Sequence, residues 1–226
     1  MNLAIFDLDH TLILADSDVE WPRFLVNKGL VDQAFYDKRS DYFYEQYKAG
    51  TMDIDEFLAF QLAPLTQFSP AELTELHREF MADYIMPVIP QGARDLVQSH
   101  FDAGDEVLVI TATNRFITAP IVAEFGIQHL LAVELEQTAD GRYTGQYVGT
   151  PSFKEGKITR LHEWLGEREQ ALADFKTVYF YSDSQNDLPL LNLVNHPVAV
   201  NPDPVLTEQA TASGWPILHF APANLS

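Results

Sequence analysis

The chain has 226 residues, of which 46% are hydrophobic and 12% aromatic, enough for one sizeable core plus a smaller accessory unit. Its formal net charge of −19 argues against nucleic acid or an anionic membrane as a partner, because both require a basic face. The absence of cysteine excludes disulfides and thiolate metal sites. No stretch approaches a membrane-spanning apolar run, and Asp7 and Asp9 interrupt the segment that a signal peptide would occupy. We therefore expect a soluble cytoplasmic protein.

The first predicted strand, residues 3–6, ends in two carboxylates one residue apart, Asp7 and Asp9, which Thr11 follows. Side chains at positions i and i+2 of an extended chain point to the same side, so the two carboxylates can converge. Such a pair repels unless a cation or a shared proton lies between them. Mg²⁺ is the simplest candidate, because it is usually held by a few carboxylates plus a substrate phosphate. The alternative is that both residues are turn-formers or caps.

Residues 13–87 have helical rather than strand patterning. Asp53 is a candidate N-cap, and Ser69-Pro70-Ala71-Glu72 is typical of a helix start. An aromatic stripe that includes Tyr36, Phe43 and Tyr47 predicts the core of a small helical bundle, with a stacking surface for substrate as the alternative.

From residue 90 onward, strand and helix patterns alternate. This alternation predicts an α/β fold with a doubly wound, Rossmann-like parallel sheet. An Asp-Gly pair at residues 140–141 indicates a β-hairpin. The predicted strands are residues 106–111, 130–135, 177–181 and 198–200, and the predicted helices are residues 92–103, 114–125, 155–164 and 187–193.

Ligands of parallel sheets bind beyond the carboxyl ends of the strands, which draws attention to the residues there. Thr111 follows one strand, and Asp183 and Asp187 follow another, while Lys157 opens a helix. A hydroxyl at a helix N-terminus suits a phosphate oxygen. Each residue also has a simpler explanation: Thr111 as an N-cap, Lys157 as a solvated lysine, and the two aspartates as loop or capping residues.

In this order and spacing, the four clusters resemble motifs I to IV of the haloacid dehalogenase superfamily. Asp7-Leu8-Asp9-His10-Thr11 resembles its DxDxT signature, and Thr111, Lys157 and the Asp183/Asp187 pair resemble motifs II, III and IV. The helical insertion directly after motif I resembles a C1 cap. The resemblance implies a catalytic core at residues 1–15 and 88–226 and a cap domain at residues 16–87.

The resemblance also implies a phosphomonoester hydrolase. Asp7 would be the nucleophile that forms an aspartyl-phosphate, and Asp9 the general acid and then the general base. Mg²⁺ would be bound by Asp7, the Asp9 backbone carbonyl and Asp183. Lys157 would offset negative charge and Thr111 would hold phosphoryl oxygens.

Asp187 would adjust the metal site from close by. A phosphotransferase or mutase, which would pass the phosphoryl group to a second substrate, is the alternative from another class. The oligomeric state is not readable from the sequence.

More narrowly, the chain resembles subfamily IB, and within it the bacterial branch that includes histidinol-phosphate phosphatases. Phosphoserine enzymes of this subfamily read the substrate ammonium nine residues after the nucleophile, where this chain has Asp16, with Asp18 nearby. They have a Gly-Gly pair where this chain has Ala112-Thr113. The predicted substrate contacts are Asp16, Asp18, Trp21, Thr113, Arg115 and Asn186.

No cap arginine clearly matches the one that reads the phosphoserine carboxylate, and Arg39 and Arg78 are the candidates. A substrate with an amine and no carboxylate, such as histidinol phosphate, fits this pattern better than phosphoserine. Its imidazole ring would stack on Trp21 or on a cap tyrosine. Two alternatives stay open: another small phosphomonoester as the substrate, and a role of Asp16 and Asp18 as helix caps only.

Overall fold

The computed structural model describes residues 1–222, except for the side chain of Phe35. Within this range, seven strands form one sheet. In chain order they are β1 (Leu3–Phe6), β2 (Glu106–Asn114), β3 (His129–Gln137), β4 (Tyr143–Val148), β5 (Val178–Ser182), β6 (His196–Val200) and β7 (Ile217–Leu218). Their spatial order is β4-β3-β2-β1-β5-β6-β7.

The sheet is parallel except at one edge. Strand β1 pairs in parallel with β2 on one side and with β5 on the other, whereas β3 and β4 form an antiparallel hairpin. The turn between β3 and β4 includes Gly141, whose φ of +82° is strained for other residues. The predicted doubly wound sheet and hairpin are therefore confirmed. The carboxyl ends of β1, β2 and β5 lie side by side at the point where the strand order reverses.

The described residues also include nine α-helices, joined in places by short 3₁₀ or π turns. They are α1 (Ser17–Asn27), α2 (Gln33–Lys48), α3 (Ile54–Leu62), α4 (Pro70–Phe80), α5 (Gln91–Asp102), α6 (Arg115–Ala123), α7 (Glu155–Glu167), α8 (Leu188–Leu191) and α9 (Pro204–Ser213). Helices α1 to α4 lie between β1 and β2 in the chain, where the helical insertion is predicted. The boundary between core and cap stays a prediction.

Side-chain caps define several helix starts. Asp53 accepts hydrogen bonds from two backbone amides of α3, and Ser69 and Glu72 form a capping box at α4, both as predicted. The N-cap of α6 is Asn114, not Thr111. Strand β2 continues three residues beyond its predicted end, which keeps Thr111 inside the strand. The capping explanation of Thr111 is therefore wrong.

Both faces of β1 are buried, which explains its uninterrupted apolar sequence. Ala4 and Phe6 belong to one hydrophobic cluster and Leu3 and Ile5 to the other, because successive side chains point to opposite faces. The insertion has a separate buried cluster of Tyr36, Phe43 and Phe60, as the aromatic stripe predicts. These clusters fix the strand ends at which the polar residues lie.

Neither α9 nor β7 is predicted from the hydrophobic pattern. Asp203-Pro204 nevertheless carries the N-cap and first-turn signals of a helix, and Asp203 accepts a hydrogen bond from the Leu206 amide. Among the helices of residues 1–222, none has the length and apolar composition that crossing a membrane would require.

The turn into α7 depends on a close backbone approach at Gly156. A Cβ atom there would lie 2.0 Å from the Pro151 carbonyl oxygen, so we expect Gly156→Ala to destabilise the protein by about 1–3 kcal/mol. Gly166 belongs to the same helix and has open space around it, so Gly166→Ala should stabilise by about 0.5 kcal/mol. Urea unfolding of both variants checks this prediction. Equal effects of the two substitutions would contradict it.

Candidate active site

A cavity of about 220 Å³ lies beyond the carboxyl ends of β1, β2 and β5. One side is formed by polar residues that follow these strands, and the other by side chains of α2 and α3. Seven aspartates and a single lysine line it within the described residues. The aspartates are Asp7, Asp9, Asp16, Asp18, Asp183, Asp187 and Asp203.

Lys157 is the cationic centre of this cavity. Its Nζ lies 2.7 Å from Oδ1 of Asp7 and 2.7 Å from Oδ2 of Asp187, and the lysine is 3% exposed. Burial alone would lower the pKa of Lys157, but the carboxylates of Asp187 and Asp7 hold that pKa above its ordinary value. Ser182 donates a hydrogen bond of 2.7 Å to the same Asp187 oxygen. Lys157 is therefore charged, oriented and directed at Asp7.

Asp7 follows β1 and is 7% exposed. Burial raises the pKa of Asp7 to about 7, and Lys157 opposes this effect. Thr11 donates a long hydrogen bond of 3.4 Å to Oδ2 of Asp7. One carboxylate oxygen of Asp7 is thus held by the lysine, and the other is only weakly engaged.

Asp9 is held by two groups from different elements. Its Oδ1 accepts a hydrogen bond of 2.7 Å from the backbone amide of Ser17, at the start of α1. Its Oδ2 accepts one of 2.9 Å from the hydroxyl of Thr113, at the end of β2. Burial, followed by the negative charge of Asp16, raises the pKa of Asp9 to about 6. A carboxyl with this pKa exchanges a proton near neutral pH, as acid–base catalysis requires.

Asp16 and Asp18 lie at the start of α1, on the cavity wall. Asp16 is the N-cap of that helix, so its predicted capping alternative is correct, although it also lines the cavity. Asp18 is 6% exposed, and its Oδ1 is a buried atom without a hydrogen-bond partner. Burial raises the pKa of Asp18 well above its ordinary value, and the neighbouring Asp16 and Asp9 add to this effect. This part of the cavity wall therefore holds two carboxyl groups that a cationic ligand would stabilise.

The remaining predicted residues after the strand ends also line the cavity. Thr111 is almost fully buried, and its Oγ1 accepts a hydrogen bond of 3.1 Å from the Thr113 amide, which leaves its hydroxyl proton free to donate to a phosphate. Asn186 is buried beside Ser184 in the loop after β5.

That loop is fixed by Asp203, a residue that the sequence patterns do not indicate. Its Oδ2 accepts a hydrogen bond of 2.6 Å from the Gln185 amide, and its own amide donates one of 2.8 Å to the Asp183 carbonyl. Asp203 thereby fixes the backbone that carries Asp183.

The donor set at the base of the cavity suits a hard divalent cation. Within the described part of the chain, no three His, Asp or Glu side chains are grouped closely enough to hold a metal by themselves. The predicted set instead combines the carboxylates of Asp7 and Asp183 with the Asp9 backbone carbonyl, all oxygen donors. Burial and then repulsion from Asp7 raise the pKa of Asp183 well above its ordinary value. A bound cation would relieve this repulsion, so the residues fit Mg²⁺.

Trp21 is placed away from the cavity. It is 1% exposed and packs edge-on against Phe80 and Phe116, with ring centroids 5.2 and 5.1 Å apart. It belongs to the hydrophobic core between α1, α4 and α6, and it does not line the cavity. The structure therefore contradicts the predicted stacking of Trp21 on substrate.

Arg115 is also placed away from the cavity. Its guanidinium forms a two-point ion pair with Glu134, at 2.7 and 2.6 Å, and donates to the Leu130 carbonyl. These contacts direct the side chain toward β3 rather than toward the cavity. The structure therefore contradicts the predicted substrate contact of Arg115.

The cap wall adds aromatic residues that the sequence assigns mainly to packing. Phe43 and Tyr47 belong to the predicted stripe, and both line the cavity together with Tyr44, Phe57 and Phe60. The hydroxyl of Tyr47 lies 2.8 Å from that of Ser184, which joins α2 to the loop after β5. Their helical spacing alone does not indicate which side of the bundle faces the strand ends.

The fold and the site define a class of α/β proteins with a carboxylate pair at the end of the first strand and a helical insertion after it. The model of the haloacid dehalogenase-like hydrolase family matches residues 4–192. This chain belongs to that family. The expected superfamily and hydrolase class are thereby confirmed.

Three comparisons describe its relatives. A histidinol-phosphatase of Neisseria meningitidis serogroup C (strain 8013) is 58% identical over 219 residues, which cover 97% of this chain and 99% of the relative. A protein of unknown function from Bordetella pertussis Tohama I has a similar structure, with a TM-score of 0.90, 47% identity and coverage of 96% and 97%. A substrate-bound phosphoserine phosphatase gives a TM-score of 0.69 at 18% identity, with coverage of 96% and 92%, and shares the fold.

Replacing Lys157 with methionine should impair both folding and catalysis. It leaves Asp7 and Asp187 buried without their cation, and we expect a loss of about 3–5 kcal/mol in unfolding free energy. In folded protein, kcat for phosphate release should fall by about 10²–10³, because the cation beside Asp7 at the base of the cavity is lost. Lys154→Met, which removes a lysine bonded to the Gly50 carbonyl, is the matched control and should change kcat little. Urea titration and phosphate-release assays of both variants test this.

Proposed function

We propose that this protein is a Mg²⁺-dependent phosphomonoester hydrolase that works through an aspartyl-phosphate on Asp7, with histidinol phosphate as its substrate. One observation carries the proposal: the cavity combines the Asp7–Lys157 pair with an aromatic cap wall and an unpartnered buried carboxylate at Asp18. The first feature suits phosphoryl transfer, and the other two suit an aromatic, amine-bearing alcohol.

Asp7 is the nucleophile in this proposal. Its carboxylate attacks phosphorus in line and displaces the alkoxide, which leaves the phosphoryl group bonded to Asp7. Lys157 keeps one Asp7 oxygen fixed and offsets the negative charge that gathers as an anionic carboxylate meets an anionic phosphate. The hydroxyl of Thr111 has a free proton to donate to a phosphoryl oxygen.

Asp9 moves the protons. In the first step its carboxyl group gives a proton to the leaving alkoxide oxygen, and it becomes a carboxylate. In the second step that carboxylate takes a proton from the water that attacks the phosphoryl group on Asp7. The hydrogen bonds from Ser17 and Thr113 hold Asp9 in one orientation for both steps.

The carboxylates of Asp7 and Asp183 and the backbone carbonyl of Asp9 would hold Mg²⁺, with Asp187 acting on the site through Lys157. When bound, the ion supplies positive charge that offsets the repulsion between the nucleophile and the phosphate. Asp203 keeps Asp183 in place through the Asp183 carbonyl.

The cavity favours a substrate without a carboxylate. Among its described lining residues there is no arginine, and Lys157 already binds two aspartates. Arg39 pairs with Glu56, and Arg78 pairs with Glu75, so neither candidate lines the cavity. A phosphoserine carboxylate would therefore be desolvated without a cationic partner.

The cavity also provides partners for both ends of histidinol. The Oδ1 atom of Asp18 lacks a hydrogen-bond partner and would accept one from the substrate ammonium group. Tyr44, Tyr47 and Phe57 offer ring faces and edges to an imidazole. The 58% identical relative that is named histidinol-phosphatase supports the same substrate. The expected cytoplasmic location stays a prediction.

Asp18→Asn tests the substrate assignment. We expect the wild type to prefer histidinol phosphate over phosphoserine, sugar phosphates and nucleotides. The variant should lose about 10- to 100-fold in kcat/KM for histidinol phosphate, because a charged hydrogen bond to the amine is lost. Asp41→Asn, which removes an exposed cap carboxylate, is the control and should match the wild type. A wild-type preference for phosphoserine would contradict the assignment, and transfer of phosphate to added alcohols would favour a phosphotransferase.

Thermal unfolding tests the metal site without an activity assay. Mg²⁺ at about 100 times its dissociation constant should raise the Tm by about 5–10 °C, because it binds the folded state. NaCl of equal ionic strength should not reproduce this shift. Asp183→Asn should abolish most of it, because one of the two carboxylate ligands is gone. If Mg²⁺ raised the Tm of Asp183→Asn as much as that of the wild type, the ion would bind elsewhere and the proposed site would be wrong.

A further inference from the structure

One hydroxyl group connects the proposed acid–base residue to the proposed amine-reading residue. The Oγ1 atom of Thr113 lies 2.9 Å from Oδ2 of Asp9 and 3.0 Å from Oδ2 of Asp18. Thr113 is 4% exposed and lies at the end of β2, next to the cavity. A hydroxyl has one proton, so Thr113 donates to one carboxylate at a time and accepts from the other when that group is protonated. Both carboxyl groups are therefore positioned against the same oxygen atom.

Thr113 completes the support of Asp9. The backbone amide of Ser17 donates to the opposite oxygen, Oδ1, from the start of α1. A single hydrogen bond leaves a carboxylate free to rotate about its last side-chain torsion, whereas two bonds from different directions fix its plane. The Thr113 hydroxyl supplies the second bond from a buried strand end, which is a rigid support.

Thr113 also fixes Asp18. Within the described residues, the Asp18 side chain has no hydrogen bond other than the one with the Thr113 hydroxyl, and its second oxygen has none. The free oxygen is thus held ready for a ligand, and the bonded oxygen sets where the free one lies. A shift of Thr113 would displace both carboxylates together.

We propose that Thr113 is a positioning residue that aligns Asp9 for proton delivery to the leaving group and sets the location of Asp18 for the substrate amine. This inference rests on the roles given to Asp9 and Asp18 in the proposed function. It adds that one side chain supports both the cleavage of alkyl esters and the preference for a substrate amine.

The proposal predicts different effects on esters with strongly basic and with weakly basic leaving groups. An alkoxide is strongly basic and needs the proton from Asp9 as it departs, whereas a p-nitrophenolate is stable without one. Misalignment of Asp9 should therefore slow alkyl esters far more than aryl esters. A merely structural role of Thr113 would reduce both alike.

The test compares Thr113→Val, which keeps the shape and removes the hydroxyl, with Thr113→Ser, which keeps the hydroxyl. The substrates are histidinol phosphate, its analogue without the amine, and p-nitrophenyl phosphate. In Thr113→Val, kcat/KM should fall about 100-fold for the amine-free alkyl ester and less than about threefold for p-nitrophenyl phosphate. The preference for the amine should shrink about tenfold as well. Thr113→Ser should restore both ratios.

Equal losses on alkyl and aryl esters would overturn the proposal, as would unchanged ratios in Thr113→Val or a failure of Thr113→Ser to restore them. Thr113→Ala serves as a second hydroxyl-free variant if the valine protein does not fold, with melting temperature as the check. If the wild type prefers another alkyl phosphate, the proposed substrate is wrong. The comparison of leaving groups then runs on that ester and still decides the role of Thr113.

Discussion

The ammonium group of Lys157 lies between the carboxylates of Asp7 and Asp187, at 2.7 Å from each, in a place where water is nearly excluded. Within residues 1–222, seven aspartates line the cavity around this lysine. Charges packed in this way are tolerated only when they are paired and hydrogen-bonded. The rest of the site follows from that constraint. A tight turn at Gly156 brings the lysine in, the ends of β1 and β5 deliver the carboxylates, and in the proposed mechanism a divalent cation would balance the excess negative charge.

Phosphoryl transfer and substrate selection are assigned to different parts of the chain. In the proposed mechanism, the residues that follow β1, β2 and β5 carry out phosphoryl transfer, and their positions are set by buried strands of the sheet. Helices α1 to α3 and the N-cap of α1 supply the aromatic wall and the two carboxylates to which the proposal assigns substrate selection. The two parts meet at a few polar contacts, such as Tyr47 with Ser184 and Lys154 with the Gly50 carbonyl. Thr113 also joins them, through its contacts with Asp9 and Asp18.

Local spacing predicts the strand-end part of this site well. Asp7 and Asp9 share one side of an extended segment, and the parallel sheet brings distant strand ends together without further information. The faces of the cap helices are less predictable, because they depend on contacts between residues far apart in the chain. Trp21 is directed into the core by partners on α4 and α6, and Arg115 by Glu134 on β3. No periodicity within α1 or α6 reveals those partners.

The central claim is that Asp7 becomes covalently phosphorylated during turnover. The direct measurement is acid quenching of the enzyme during turnover of p-nitrophenyl phosphate, followed by mass spectrometry of its peptides. Asp9→Asn should lengthen the lifetime of the intermediate, because the attacking water loses its base. The account predicts a mass increase of one phosphoryl group on the peptide that carries Asp7, and none in Asp7→Asn. Phosphorylation of another residue, or continued turnover by Asp7→Asn, would contradict it.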